Sequence, residues 1–470
     1  MNVQTIPPPR PRFREHPIEF LLALFGEVRP GEGATVLLLT LNVFLILSAY
    51  YLLKVAREPL ILLGGGAEVK SYASVGQSIL LVFVASSYGW LAAHVGRLML
   101  VSCVSLFFIA NLLVFFGLGS LGVPLGVPFF LWVGIFNVVT IAQFWSFTAD
   151  TYTEEQGKRL FPIGSSVVAV AGSWIAAPLV RVGSPFTLML AASVLLIAAL
   201  GLTVIVHRRE TRAAVNHVKK VQAPLAHGDA FALVLRDRYL LAFALLVLVL
   251  NFVTRSGDFV LDRMLLAQSA DHAKALGMAE PAYIAQFKAH YFQLINVIGV
   301  VLQLFLVSRI VKYVGLRVAL VIIPLASVVG YGATLLVPMI EVLFVARVIE
   351  SSLDYSLSNT TQQSLWLVTT REAKYKAKQV IDTLFRRAGD TMSAAVVWLT
   401  VHFAFGTRTF LAVNVALSLA WVGLAIIVGR GYMRRSTTRK PPATSRPDVP
   451  GEPTHRPDLS SIPATHPVTG

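Results

Sequence analysis

The sequence predicts an all-α polytopic membrane protein with about twelve transmembrane helices in two pseudo-symmetric six-helix bundles. The chain of 470 residues is 55% hydrophobic and only 14% charged, whereas soluble globular proteins carry about 25% charged residues. Apolar runs of about 20 residues, long enough to cross a bilayer, recur along the chain. Similar motifs follow the second and eighth runs and the fourth and tenth runs, which indicates a duplicated six-helix unit.

The apolar runs also set the order and orientation of the predicted helices. We expect spans at 34–56, 71–93, 98–118, 127–149, 161–181, 186–206, 239–262, 288–308, 316–337, 340–367, 378–402 and 408–429. The tails and the even-numbered loops hold 28 Lys and Arg residues, against 7 in the odd-numbered loops. Because positive loops stay on the cytoplasmic side, this bias places both termini in the cytoplasm.

Five segments follow from this pattern. They are a cytoplasmic N-terminal segment at 1–33, a first bundle at 34–206, a polar cytoplasmic linker at 207–238, a second bundle at 239–432 and a tail at 433–470. The N-terminal segment has no apolar core of signal-peptide length beside a small-residue cleavage site. The tail is rich in Pro, Ser and Thr and has almost no large apolar residues, so we expect it to be disordered.

Composition and motifs argue against several function classes. The net charge of +15 lies mainly in alternate loops and the tails, so it indicates membrane topology and no nucleic-acid partner. The single cysteine, Cys103, allows no disulfide within the chain. Gly64–Gly66 follow a membrane helix instead of a strand, and no phosphate loop or zinc motif is present in the sequence. We therefore expect no cofactor, no metal and no enzyme activity; the expected partners are membrane lipids and a small polar substrate.

Charged side chains inside the predicted spans carry the functional hypothesis, because such groups usually face a bundle interior or a wet cavity. Asp382, Arg386 and Asp390 are four residues apart and share a helix face, with Arg387 beside them. Two interpretations remain open for this set: internal ion pairs that lock helices together, or the lining of a path for a polar substrate. The other charged residues of these spans are Lys54, Arg57, Glu58, Asp150, Arg255, Asp258, Asp262, Arg347, Glu350 and Asp354.

These groups have distinct expected roles. Guanidinium groups suit phosphate oxygens, so the predicted anion clamp consists of Lys54, Arg57, Arg386 and Arg387. The alternative for Lys54 is a local pair with Glu58, one helical turn away. The acids expected to gate the site or carry a coupling proton are Asp258, Asp390, Glu350 and Asp354, together with Asp150. The aromatic residues that are candidates to stack on a base are Tyr50, Tyr51, Trp145 and Tyr355.

Three stretches carry a family resemblance: AYYLLKVAREPLILLGGGAEVK at 49–70, FWSFTADTYTEEQGKRLFPIGS at 144–165 and KYKAKQVIDTLFRRAGD at 374–390. They resemble the nucleotide transporters of the ATP/ADP translocase family of plastids and intracellular bacteria, and most closely its divergent bacterial branch. The resemblance implies a twelve-helix, major-facilitator-like fold and exchange of ATP for ADP or a related nucleotide. It also implies a location in a bacterial inner membrane.

The resemblance extends to single positions. Arg57 stands where the family has a substrate-linked lysine, and Asp150 stands where it has a glutamate that we expect to contact substrate. Lys158, Arg159, Phe161 and Pro162 match the family's Lys-Arg-aromatic-aromatic-Pro motif. Two positions depart from the pattern: Thr254 replaces a glutamate of the exchangers, and Asp390 replaces a lysine. The latter change exchanges a cation for an anion, which Arg386 and Arg387 one turn earlier could compensate.

The sequence therefore supports a secondary transporter that moves nucleotides, by ATP/ADP-type exchange, or a related phosphorylated anion by alternating access. One alternative is a proton-coupled, major-facilitator-type transporter of another polar solute, which the surplus of acids within the predicted bundle favours. A second alternative is a non-transporting membrane scaffold whose basic loops and tail serve as docking surfaces.

Overall fold

The computed structural model describes residues 33–151, 184–213, 230–370, 373–403 and 406–438. Within these ranges the regular elements are all helices. Eight of the described helices are long and apolar enough to cross a membrane. The prediction of an all-α polytopic membrane protein is confirmed.

The first half of the chain contributes four described helices. They are α1 (Gly33–His94), α2 (Arg97–Ser120), α3 (Gly126–Thr151) and α4 (Pro185–Ala213). Helix α1 covers the first two predicted spans, and α2, α3 and α4 correspond to the third, fourth and sixth. The predicted fifth span, 161–181, lies outside the described residues.

Helix α1 consists of two helical arms that meet at Gly66, whose backbone has φ 79° and ψ 176°. Glycine adopts a positive φ without the steric penalty that a Cβ imposes, so the chain reverses there. Both arms are longer than predicted, because the charges at Arg57 and Lys70 ended the apolar runs although the helix continues through them. Pro59 lies inside the helix.

Nine α-helices are described in the second half, two of which, Asn359–Leu365 and Lys378–Val380, are short. The other seven are α5 (Ala230–Arg236), α6 (Arg238–Ala275), α7 (Glu280–Val301), α8 (Leu316–Leu336), α9 (Ile340–Leu353), α10 (Arg386–His402) and α11 (Thr407–Thr438). Of the five π-helical segments described in this half, three extend these helices: Leu302–Val307 after α7, Asp354–Ser358 after α9 and Ile381–Phe385 before α10. Segments of this kind occur often at functional sites. The predicted linker is helical at both ends, and its residues 214–229 lie outside the described ranges.

Short connections make successive helices antiparallel, which defines two sides of the molecule. The turns at Gly66 and Gly277 lie on one side, which we call the Gly66 side. The turns at His94 and Gly315 lie on the other, the His94 side. Gly277 and Gly315 have φ values of 66° and 88°, so both turns use a backbone conformation that favours glycine.

Apolar packing joins the two halves on the Gly66 side. Ile61 and Leu62 of α1 belong to the same buried cluster as the core of the second half. Ala285 and Ala289 of α7 in turn belong to a cluster made mostly of first-half residues. A third cluster, toward the His94 side, contains first-half residues alone among those described: Leu39, Val43, Ile46, Val101, Phe144, Phe147, Ala199 and Val206.

One close helix contact within the second half determines the geometry of the site. A Cβ at Gly389 would lie 2.5 Å from the backbone oxygen of Leu248, so α10 packs directly on the backbone of α6. This approach brings Asp390, the next residue of α10, beside Arg255 of α6.

Candidate functional site

A cavity of about 250 Å³ lies where the two halves meet, lined mainly by α1 from the first half and by α6, α7, α9 and α10 from the second. The charged residues of its described lining are the seven cations Lys54, Arg57, Lys70, Arg255, Lys288, Arg347 and Arg386 and the five acids Glu58, Asp258, Asp262, Asp354 and Asp390. An excess of cations in a cleft with low-dielectric walls attracts an anion. The acidic surplus expected within the bundle is therefore reversed at the cavity.

On the Gly66 side of the cavity, four charged residues from both halves form a network, in which Glu58, Asp262 and Lys288 are buried and Lys70 is partly exposed. Lys70 Nζ lies 2.5 Å from Glu58 Oε2 and 2.7 Å from Asp262 Oδ2. Lys288 pairs with Asp262 and lies 3.8 Å from Glu58. Because Glu58 and Lys70 belong to α1 while Asp262 and Lys288 belong to α6 and α7, this four-residue network joins the halves. Buried charges need such partners, since each ion alone would carry a large desolvation penalty.

A second ionic group lies wholly within the second half. The fully buried Arg347 donates to Asp258 Oδ1 at 2.5 Å and to Glu350 Oε2 at 2.7 Å. Tyr331 Oη also donates to Glu350 Oε2, at 2.7 Å. Glu350, expected to gate or couple, is buried in this group and does not line the cavity. Arg347 and Glu350 thus form an ion pair on α9 that contacts Tyr331 of α8 and Asp258 of α6, so it holds these three helices together.

Asp390 forms the centre of a third group. Its carboxylate accepts from Arg255 Nε at 3.0 Å and lies 3.5 Å from Arg387 NH1. Arg387 also donates to Ser78 Oγ of α1 at 3.0 Å, which adds a second contact between the halves. Of the two adjacent arginines predicted to clamp an anion, Arg386 lines the cavity. Arg387 is not among the lining residues and instead connects α10 to α1.

Two lining cations, Lys54 and Arg386, have no carboxylate oxygen of the described residues within 4.0 Å. The ammonium of Lys54 lies 3.8 Å from the centroid of the Phe292 ring, with Tyr51 and Tyr50 rings at 5.7 and 6.0 Å. A local Lys54–Glu58 pair is absent from these residues, because the Glu58 oxygens face Arg57, Lys70 and Lys288. Lys54 and Arg386 are thus the cations best placed to receive an anion.

The remaining predicted residues fall into three classes. Arg57 lines the cavity, but its guanidinium pairs with Glu58 at 3.3 Å and lies 4.6 Å from the Phe130 centroid. Asp354 and Tyr355 line the cavity from the π segment after α9. Asp150 lies near the end of α3, and its side chain is outside the described part of the structure. The whole run at 158–162 is also outside the described residues. Trp145, a candidate stacking residue, is not among the described lining residues of this cavity, and its ring packs against Phe144 beside the third cluster.

Sequence reasoning missed three contributors to the site. Lys70 precedes the predicted span at 71–93 and Lys288 begins the one at 288–308, so neither was a candidate for the site. Both lie within helices and take part in the four-residue network. Phe292 was not singled out, because a phenylalanine in an apolar helix carries no distinguishing signal. The spacing of Lys288 and Phe292, one turn apart on α7, would have indicated that a cation and a ring share one face.

Comparison with known proteins shows the fold. No protein-family model and no curated protein sequence matches the chain. A bacterial homologue of the iron transporter ferroportin, in an inward-facing state, matches with a TM-score of 0.59 and 15% identity, over 85% of this chain and 98% of that one. A bacterial homologue of the human lysosomal transporter Spinster, inward-facing and unoccupied, matches with a TM-score of 0.57 and 13% identity, over 88% and 100%. The nucleoside transporter NupG matches with a TM-score of 0.54 and 12% identity, over 86% and 99%.

These matches extend over nearly the full length of the known structures, so the similarity concerns the whole architecture. The chain has the fold of major facilitator transporters, as the family resemblance in its sequence implied. At these identities the similarity describes the arrangement of helices, and function must be argued from the cavity itself.

Proposed function

We propose that the protein is a secondary transporter that carries nucleotides, or a related phosphorylated anion, by alternating access of its two halves. The observation that supports this proposal is a cavity at the join of the halves with an excess of cations. Two of these cations, Lys54 and Arg386, have no carboxylate oxygen of the described ranges within 4.0 Å. The sequence resemblance to nucleotide transporters favours phosphate as the anionic group of the substrate.

The two cations belong to different halves. Lys54 is on α1 and Arg386 begins α10, so an anion between them would contact both halves. Charge-assisted hydrogen bonds to phosphate are strong, and the fork of a guanidinium fits two phosphate oxygens. A ligand that contacts both halves can change the equilibrium between their arrangements, because it binds the two arrangements with different affinity.

The four-residue network supplies the barrier on one side. With Glu58, Lys70, Asp262 and Lys288 paired, the cavity is separated from the Gly66 side. Release of substrate to that side would require the contacts between Lys70 and Asp262 to break. In this mechanism the network is the gate, and the groups around Arg347 and Asp390 hold the helices of the second half together.

A binding and transport experiment tests the proposal. Purified full-length protein is heated with ATP, ADP, pyrophosphate, phosphate or adenosine, because a ligand that binds the folded state raises its apparent stability. We expect the phosphorylated compounds to raise the melting temperature and adenosine to have a smaller effect. Proteoliposomes should then take up labelled ATP or ADP. A panel without any stabilising anion, together with no uptake, would contradict the proposal.

Proton-coupled transport of another polar solute is the second candidate. Asp354 favours it, because this acid lines the cavity without an ion pair to any described residue. An acid in such a position can take up and release a proton during the cycle. Uptake that a protonophore abolishes, and that nucleotides do not inhibit, would select this candidate over the first.

A further inference from the structure

Helices α1 and α7 meet across the join between the halves through a row of three contacts. Spacings of three or four residues place the contributing side chains on one face of each helix. In order from the His94 side, the contacts are Tyr51 Oη to Asn296 Oδ1 at 2.8 Å, Lys54 Nζ to the Phe292 centroid at 3.8 Å and Lys288 Nζ to Glu58 Oε2 at 3.8 Å.

The middle contact differs from its neighbours. The other two join a donor to an oxygen acceptor, whereas Lys54 rests on the face of a ring. Glu58 is one turn from Lys54 but contacts Lys70 at 2.5 Å and Arg57 at 3.3 Å. Both Lys54 and Phe292 line the cavity, so an anion that enters has direct access to this ammonium.

We propose that Phe292 competes with the substrate for Lys54. In the empty protein the ring holds the ammonium, and a bound anion draws it away into the cavity. The inference rests on the proposed function, namely that the cavity binds a phosphorylated anion. Cation–π attraction is weaker than a charge-assisted hydrogen bond to phosphate, so the anion wins the competition.

Two consequences follow from this arrangement. Phe292 lowers the affinity for the anion, because binding must first break the contact between ring and ammonium. The broken contact also joins the two halves, so binding loosens α1 from α7 at the level of the cavity. Phe292 is therefore a positioning residue that links occupancy of the site to separation of the halves.

Titration calorimetry with ATP and pyrophosphate on the purified full chain tests the inference. In Phe292→Leu we expect binding about two- to thirtyfold tighter than in the unaltered protein, the range that corresponds to loss of a cation–π contact. Phe292→Tyr should bind like the unaltered protein, and Lys54→Gln should bind more weakly. The matched control is Phe305→Leu in the π segment after α7, whose ring is 59% exposed and which should change nothing.

A variant that keeps a phenyl ring at position 292 separates two effects of Phe292 on anion binding, namely the electron density of its ring face and its packing. Replacement of Phe292 by 3,4,5-trifluorophenylalanine withdraws electron density from the ring face and should also tighten binding, even if Phe292→Leu does not fold. Unchanged or weaker anion binding in the fluorinated protein would overturn the inference while leaving the proposed function intact. If the unaltered protein binds neither ATP nor pyrophosphate, the competition and the anion-binding function both fail.

Discussion

Arg255 Nε donates to Asp390 Oδ1 at 3.0 Å, which ties α6 to α10 beside the cavity. The nucleotide exchangers that the sequence resembles carry a glutamate where this chain has Thr254 and a lysine where it has Asp390. In this chain the cation, Arg255, directly follows Thr254 on α6, and the anion, Asp390, lies on α10. An acid and a base therefore remain on the same two helices with the polarity reversed, and the Asp390 carboxylate lies against Arg255 and Arg387.

The first prediction concerns this pair. Arg255→Gln should lower the free energy of unfolding by about 1–2 kcal/mol, because the Asp390 carboxylate is buried and keeps only its longer contact with Arg387. The loss of unfolding free energy is modest because the Arg255 side chain is 49% exposed and partly solvated. Combining it with Asp390→Asn should lose about 1 kcal/mol less than the sum of the single changes. Denaturation in detergent measures the unfolding free energy of the two single variants and the double variant. If the losses of the single variants add up in the double variant, Arg255 and Asp390 do not interact.

The second prediction concerns the gate on the Gly66 side. Lys70→Gln removes the cation shared by Glu58 and Asp262 and leaves Lys288 as the one described cation that contacts both acids. The halves should separate more often on that side. With Cys103 replaced by Ser, a cysteine introduced at the cavity-lining Ser74 should then react faster with an impermeant maleimide.

The reactivity of that cysteine needs a control for general loosening. Lys274→Gln removes an exposed lysine from the end of α6 and should leave the labelling rate unchanged. A rate in Lys70→Gln equal to that of the control would show that the four-residue network does not hold the side closed.

The third prediction separates two adjacent arginines. Arg386→Gln should weaken ATP binding by about ten- to a hundredfold, the loss that corresponds to one charge-assisted hydrogen bond. Arg387→Gln should reduce stability instead, because Arg387 contacts Ser78 and Asp390 and lies outside the cavity lining. Titration and thermal unfolding on both variants measure the difference, with Arg430→Gln as an exposed control on α11. If both variants lost the same amount of ATP affinity, Arg386 and Arg387 would both contact the anion, as the sequence predicted.

The all-α, membrane-spanning class could be predicted from sequence because a bilayer demands about 20 apolar residues per span, which leaves a direct signal in composition. Span ends were less accurate. A charged residue ends an apolar stretch of sequence, yet α1 continues through Arg57 and Lys70. Glu58 of the same helix pairs with both cations, and Asp262 of α6 pairs with Lys70. The structure thus buries groups that the sequence alone places at a surface.

Charge partners could not be predicted from spacing alone. Lys54 and Glu58 are one turn apart, which favours a local pair, but Lys70 and Lys288 reach Glu58 from other helical segments. Periodicity shows which residues share a face of one helix, whereas the neighbour that the face meets depends on tertiary packing. The same limit explains why Arg386 and Arg387, adjacent in sequence, have different surroundings.

The fourth prediction tests whether the close approach of α10 to α6 builds the site. In Gly389→Ala the new Cβ would meet the backbone oxygen of Leu248 at 2.5 Å, and backbone atoms cannot rotate away as a side chain does. The helices should move apart, at a loss of about 1–3 kcal/mol in unfolding free energy. The contact between Arg255 and Asp390 should weaken with them. Gly423→Ala in α11, where a Cβ meets nothing within 4 Å, is the matched control.

Anion binding provides the second measurement on Gly389→Ala. If Asp390 loses Arg255, only its longer contact with Arg387 still offsets its negative charge beside the cavity, so ATP affinity should fall more than the loss of stability alone would explain. Adding Asp390→Asn removes that charge and should recover part of the affinity while the helices stay displaced. Full affinity in Gly389→Ala would mean that the cavity does not depend on this packing, and that the charge of Asp390 is neutralised in another way.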